Sequence, residues 1–333
     1  MNVSELFHRL PLGTRPRLPG FDGATGWLNA EPLTPADLHG RVVLVDFWTF
    51  TCINWIRTLP YLRSWAATYG AHGVVVVGVH TPEFGLEHDV DSVRRAGRRF
   101  GVDHPVALDN DYAVWNAFAN QYWPALYIAD AEGRIRHEHF GEGGYERSEQ
   151  VIRQLLAEAG AVGVPDHTPP VEPVGIEAPA DWDDLRSPET YLGLAQAQGF
   201  ASPGGGVFDQ ARVYAVPPHL DLNEWALNGN WTLGREEAVL NQANGRITLR
   251  FHARDVNLIL APQRDGSPVR FRVRLDGAPP DAATGADVDG DGTGVVREPR
   301  LYQLIRQSPP IGDRAFEIEF LDPGAAALCF TFG

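Results

Sequence analysis

Cysteine is nearly missing from this chain: 333 residues contain two, Cys52 and Cys329. Two cysteines in opposite halves make neither the disulfide framework of a small secreted domain nor a zinc site. Basic residues are also scarce, with 28 Lys and Arg against 43 Asp and Glu, a net charge of −15. That balance argues against a surface for nucleic acid or an anionic membrane, each of which needs a positive patch. The longest uninterrupted apolar run, near Val74 to Val79, falls far short of the ~20 residues that cross a bilayer. The opening residues, MNVSELFHRLPLGTRPRLPG, lack the continuous apolar core of a signal peptide, so a cytoplasmic location is expected. What the chain does have is 44% hydrophobic residues and the length for two ordinary domains. No segment repeats at a fixed period.

The most informative stretch is Val42 to Pro60, VVLVDFWTFTCINWIRTLP. An apolar run leads into Asp46, Phe47 and Trp48, then a short polar turn, then Cys52. Ile53, Ile56, Leu59 and Leu62 follow at helical spacing. A buried strand therefore delivers one cysteine to the first turn of a helix. Unpaired N–H groups and the helix dipole stabilise an anion there, which favours the reactive thiolate. Pro60 lies inside the helical pattern and should kink it.

Asp-Phe-Trp six residues before the end of this turn at Cys52, with Pro60 eight residues after it, resembles the thioredoxin superfamily. The resemblance is closest to the redoxin branch that includes alkyl hydroperoxide reductases and thiol-specific antioxidant proteins. It implies an attacking thiol at Cys52. Reductases of this type carry Cys-x-x-Cys, but here the motif reads Cys52-Ile53-Asn54-Trp55, with tryptophan where the resolving thiol would stand. Trp123-Pro124 precedes an apolar strand, Ala125 to Ala129, and Pro124 matches the superfamily's cis-proline opposite the nucleophile. Asp46 matches the acid that exchanges a proton with the resolving thiol. Without that thiol, a structural Asp46 is as reasonable as a working one. Thr49, three before Cys52, matches the Thr-x-x-Cys of peroxiredoxins, although Val45 stands where their proline is expected. Arg57 and Arg136 are candidates for the arginine of such a site. Trp48 and Trp55 either gate the thiol or fill hydrophobic volume.

The remaining elements of the first half alternate strand and helix. Thr34-Pro35 opens a short turn, and Gly73 to His80 is a strand buried on both faces. Asp91 to Phe100 is a helix and Pro105 to Leu108 a strand. Asp109-Asn110-Asp111 caps a helix running to about Tyr122. Asp130 to Gly133 turns into Arg134 to Gly141, and Glu146 to Ala159 is the last helix. Residues 1–30, rich in Pro and Gly, are expected to wrap this domain. Glu83 lies at a strand end, where α/β sheets place their sites, and reads equally as a solvated loop acid.

From Ala161 to Pro179 the chain is dense in proline and reads as a semi-rigid linker. Beyond it, short alternating runs separated by turns appear at 231–234, 246–252, 257–260, 269–275, 301–305, 315–320 and 327–332. The expected organisation is a thioredoxin-like α/β domain over 1–160, a linker over 161–180, and an all-β sandwich over 181–333. With FHARDVNLIL, LYQLIRQ and FTFG in its second half, the chain is similar to the soluble part of DipZ-type proteins. In these a redoxin domain precedes a jelly-roll sandwich like a carbohydrate-binding module.

Asp287, Asp289, Asp291 and Glu298 satisfy the D-x-D-x-D-G-x5-E spacing of a calcium loop, so Ca2+ is a candidate ligand, although an acidic turn gives the same letters. Trp225, Trp231, Tyr191 and Tyr302 offer either a sugar-stacking platform or sandwich core. Cys329 reads as core, or as a distant resolving cysteine. The function expected is thiol redox chemistry at Cys52 on disulfides or peroxides, resolved by an external thiol or a partner protein. The alternative is a redoxin scaffold without turnover that binds a glycan or a protein.

Overall fold

The computed structural model describes residues 16–333, which form two compact units, divided between Ala178 and Pro179. Residues 1–15 of the expected N-terminal wrap lie outside the described residues. From Pro16 onward the chain runs along the first unit: Leu18 N–H donates to Gly133 O at 2.7 Å, and Ile135 N–H to Pro16 O at 2.9 Å.

The first unit is built on a six-stranded sheet. Its strands are β1 (Gly26–Leu28), β2 (Val42–Trp48), β3 (Val74–His80), β4 (Val106–Leu108), β5 (Ala125–Ala129) and β6 (Ile135–Phe140), in the spatial order β1-β4-β3-β2-β5-β6. β2, β3 and β4 are parallel, while β1, β5 and β6 run antiparallel to their neighbours. β2 is buried at all seven positions, as a strand apolar everywhere but at Asp46 and covered on both faces requires. Because side chains alternate, Val43, Val45 and Phe47 point to one face, against Trp115, Phe118 and Tyr127. Val42 and Leu44 point to the other, against α1 (Ile53–Tyr69) and α4 (Tyr145–Glu158) through Leu62, Trp65, Ile152 and Leu156.

Between these elements lie α2 (Val90–Phe100), capped by Asp89, whose carboxylate accepts the Ser92 N–H at 3.0 Å, and α3 (Ala113–Ala117). The helix expected up to Tyr122 is therefore only five residues long. Asp109 does cap it, accepting from Val114 N–H at 2.9 Å and Trp115 N–H at 2.8 Å, but Ala119 then takes a left-handed φ of 51° and turns the chain out of the helix. The proline-rich segment up to Ala178 is fastened to this unit. Ala161 and Val164 pack on the α1/α4 cluster, Thr168 N–H donates to Glu149 at 2.7 Å, and Glu177 pairs with Arg63 at 2.7 Å.

The second unit is one large antiparallel sheet rolled around its own core. Its strands are β7 (Thr190–Tyr191), β8 (Ala211–Tyr214), β9 (Trp225–Leu233), β10 (Ala238–Leu240), β11 (Gly245–Phe251) and β12 (Asp255–Ala261). After these come β13 (Val269–Leu275), β14 (Thr293–Val296), β15 (Arg300–Arg306), β16 (Arg314–Phe320) and β17 (Ala326–Phe332). The order β14-β13-β16-β11-β9-β10-β17-β12-β15 turns over at β9. The first half of β9 pairs with β11 and its second half with β10 and β8. Gly229, at φ 99°, stands at the changeover, where a Cβ would come within 3.1 Å of the Gly245 backbone. Trp225, Trp231, Phe251, Phe271, Phe316 and Phe330 fill the interior. Among the described residues no helix is long and apolar enough to cross a membrane.

Candidate redox site

The side of β2 that faces α1 carries Leu44, Asp46 and Trp48 by simple alternation. After Trp48 the chain makes a tight turn through Thr49, Phe50 and Thr51, all buried, and delivers Cys52 to the N-cap of α1. Cys52 N–H donates to Thr49 O at 3.2 Å, and Cys52 O accepts from Ile56 N–H at 3.1 Å, so the cysteine closes the turn and begins the helix. The residue is half-buried. No acidic residue stands in the first turn of α1 to oppose an anion at its N-terminus. Pro60 lies inside the helix, as the sequence requires.

Trp55, one helical turn after Cys52, points down onto Asp46. Its indole N–H donates to Asp46 Oδ2 at 2.9 Å, and its ring stacks on Trp48 with centroids 4.2 Å apart. Phe100 meets the other side edge-on at 5.8 Å. Trp48 and Trp55 thus fill volume beneath the turn and are fully buried. Burial pushes the Asp46 carboxyl up to about 7, and the indole bond pulls the other way. Asp46 also lines a narrow pocket with Thr58, Leu62, Trp65, Pro124 and Tyr145. The Trp123–Pro124 peptide bond is cis. Asp46 and Pro124 are therefore brought to one cavity on the β2/α1 side of the sheet, with Trp55 held between Asp46 and Trp48.

Two groups that sequence reasoning gave no part to stand beside these. His80, at the end of β3, is wholly buried, edge-on to Trp48 at 4.7 Å and stacked on Phe50 at 5.8 Å. Burial holds its imidazole down to about 3, so it is a neutral ring. Glu87, in the turn Gly85–His88, is also wholly buried and accepts from Thr51 and from the backbone of Glu83 and Phe84. Burial pushes the Glu87 carboxyl up, and its hydrogen bonds oppose that. The sequence directs attention to Glu83, but the acid built into the site is Glu87; Glu83 contributes its backbone N–H. The link from Glu87 to the turn before Cys52 is not legible locally, because Thr51 lies 36 positions away.

The arginines considered for a peroxide site are occupied elsewhere. Arg57 is buried and paired with Glu142 at 3.2 Å. Arg136 lies between Asp130 at 3.2 Å and Glu158 at 2.7 Å. Cys329 is buried in β17, where its thiol donates to Phe330 O at 3.3 Å.

The acidic loop before β14 does not gather its carboxylates. Asp287 is paired with Arg300 at 2.7 Å and accepts from Gln303 N–H at 2.9 Å. Asp291 accepts from the Thr293 hydroxyl at 2.8 Å, and Glu298 lies 3.5 Å from Arg300. Among the described residues no group of three or more His, Cys, Asp or Glu is placed to hold a metal ion. An arginine supplies the compensation that the spacing suggested for calcium. Of the aromatics read as either a platform or sandwich core, Trp225, Trp231 and Tyr302 are in the core, and Tyr191 is half-buried.

Comparison with known proteins agrees with this geometry. Residues 187–333 match the family described as "Thioredoxin like C-terminal domain". Protein DipZ of Mycobacterium tuberculosis is 39% identical over 266 residues, 77% of this chain, a match longer than either unit alone. The chain spans only 37% of that relative's length. Thiol-disulfide oxidoreductase YkuV of Bacillus subtilis is 28% identical over 144 residues, 43% of this chain and 97% of the relative. A solved thioredoxin-like protein in its oxidized form is 30% identical, covering 43% of this chain and 97% of that one, with a TM-score of 0.40. The parallel core strands, the cysteine at the head of α1 and the likeness to DipZ and YkuV support a thioredoxin-like first unit, joined to a β-rich second unit.

Proposed function

We propose that this chain carries out thiol–disulfide exchange through Cys52 alone. The observation that carries the reading is the pair Cys52 and Trp55: a half-buried thiol at a helix N-terminus, with an indole where a resolving thiol would stand. The Cys52 thiolate attacks one sulfur of a substrate disulfide, forming a mixed disulfide and releasing the other sulfur as a thiolate. An external thiol then attacks the mixed disulfide and expels the second substrate thiol, and its own mixed disulfide with Cys52 is cleared by a further thiol. In sum, one substrate disulfide is reduced and two external thiols are oxidised. A low-molecular-weight thiol or a dithiol partner protein fits that role, and a cytoplasmic setting would supply it. The naming of YkuV as an oxidoreductase supports disulfides over peroxides as substrate, as does the engagement of Arg57 and Arg136 in other ion pairs.

The second unit, a sandwich of the jelly-roll, carbohydrate-binding-module-like kind in this reading, serves as scaffold. Trp225, Trp231 and Tyr302, considered for a stacking platform, are interior and present no face to a glycan. Mass spectrometry after challenge with a disulfide tests the proposal. A persistent mixed disulfide at Cys52, absent in Cys52→Ser, is the expected result. Sulfenic acid after peroxide with no disulfide adduct would move the assignment to a peroxidase, and no modification at all would retire it.

A further inference from the structure

Glu87 has no exposed surface, lies on the turn after β3, and has no part in the exchange chemistry just described. Its Oε1 accepts twice from Thr51, from the hydroxyl at 2.5 Å and the backbone N–H at 3.3 Å. Its Oε2 accepts from the backbone N–H of Glu83 at 2.6 Å and of Phe84 at 3.0 Å. Burying a carboxyl in this way is costly unless donors compensate it, and here both oxygens are used. Each oxygen serves a different segment. One holds the residue immediately before Cys52; the other holds the loop that leaves β3.

We propose that Glu87 is a positioning residue. By tying Thr51 to the loop after β3, its carboxylate fixes the turn from which the Cys52 thiol is presented. The inference rests on Cys52 being the reacting group. Attack on a disulfide demands a near-linear approach of one sulfur to two others, so a turn free to wander by ~1 Å loses much of the rate. A carboxylate suits the task better than an amide. Glutamine offers one acceptor oxygen, which can serve Thr51 or the Glu83–Phe84 backbone but not both.

The test measures the rate at which Cys52 in the full chain exchanges with an aromatic disulfide such as dithionitrobenzoate, in the parent, Glu87→Gln, Thr51→Val and the double variant. Each single variant is expected to slow exchange about three- to tenfold. The double variant should be no slower than the slower single, because both changes break the same link. The idea is overturned by single variants within twofold of the parent, or by single effects that multiply in the double. A parent rate no faster than that of the urea-unfolded chain would instead overturn the redox reading. Hydrogen exchange of the Thr51 amide then decides the clamp by itself. Lost protection in Glu87→Gln supports it, and unchanged protection overturns it.

Discussion

Asp46→Asn should make the first unit more stable above neutral pH and leave it nearly unchanged in acid. Asp46 is buried on β2, and its carboxyl is pushed from 3.8 up to about 7. A group whose folded value is raised contributes stability that is fully present below its unfolded value and is lost as pH rises through the folded one. The window is therefore pH 4 to 7. Each pH unit across it costs ~1.4 kcal/mol, so by pH 8 the parent has given up about 4 kcal/mol relative to acid. Asparagine has no charge to bury, and its amide oxygen still accepts the Trp55 indole N–H, now 2.9 Å from Asp46. Other acids titrate in both proteins and cancel in the difference. Hydrogen exchange of the β2 peptide against urea, read at unit steps from pH 4 to pH 8, reports opening of this unit without the second one. The difference in opening free energy should climb in favour of Asn across the window and level off above it. A difference that is flat from pH 4 to pH 8 would mean that Asp46 ionises as it does in water, and the account of this site would fail.

Three further outcomes follow from the same contacts. Glu142→Gln removes the charge that faces buried Arg57, the two side chains being 2% and 6% exposed, and should cost ~3–5 kcal/mol of unfolding free energy; a loss under ~1 kcal/mol would show that water reaches the pair. Millimolar calcium should leave the melting temperature unchanged, since binding at the 287–298 loop must break the 2.7 Å Asp287–Arg300 pair; a rise that vanishes in Asp289→Ala would show that the loop rearranges around the ion. Trp55→Cys places a thiol one turn from Cys52 and should release the Cys52 mixed disulfide without any added thiol, read by mass spectrometry as loss of the adduct that persists in the parent.

What could be read from the sequence was local. β2, the turn and α1 were legible because an apolar run from Val42 to Val45, a short turn with two threonines and a three-to-four residue period each point to one structure. The strands β11, β13 and β16 were legible for the same reason, their alternation being long enough to count. β7, β8, β10 and β14 have two to four residues each, too few to carry a period. The loop around Asp287 left calcium and an acidic turn both open because its spacing says nothing of Arg300, thirteen residues on, which pairs with Asp287. Glu87 was invisible because its partners are mostly backbone N–H groups, which any sequence possesses.

The exchange of a resolving thiol for an indole is best understood together with Asp46. A carboxyl in this position must be neutral or hydrogen-bonded, because an uncompensated buried anion is among the costliest features a core can hold. Trp55 occupies the volume against Trp48 and Phe100 and also supplies the donor. The residue that removes the second thiol is thus the one that makes Asp46 tolerable, and the two positions should behave as a unit. Trp55→Cys alone loses ring volume, worth ~3–5 kcal/mol, and leaves Asp46 without the indole. Adding Asp46→Asn should return part of that loss at pH 8, where the carboxyl is charged, and less at pH 4, where it is not. The coupling between the two substitutions should amount to ~1.5–3 kcal/mol at pH 8, the range for a hydrogen bond to a charged group. Strictly additive effects at both pH values would mean that the indole and the carboxyl merely lie side by side.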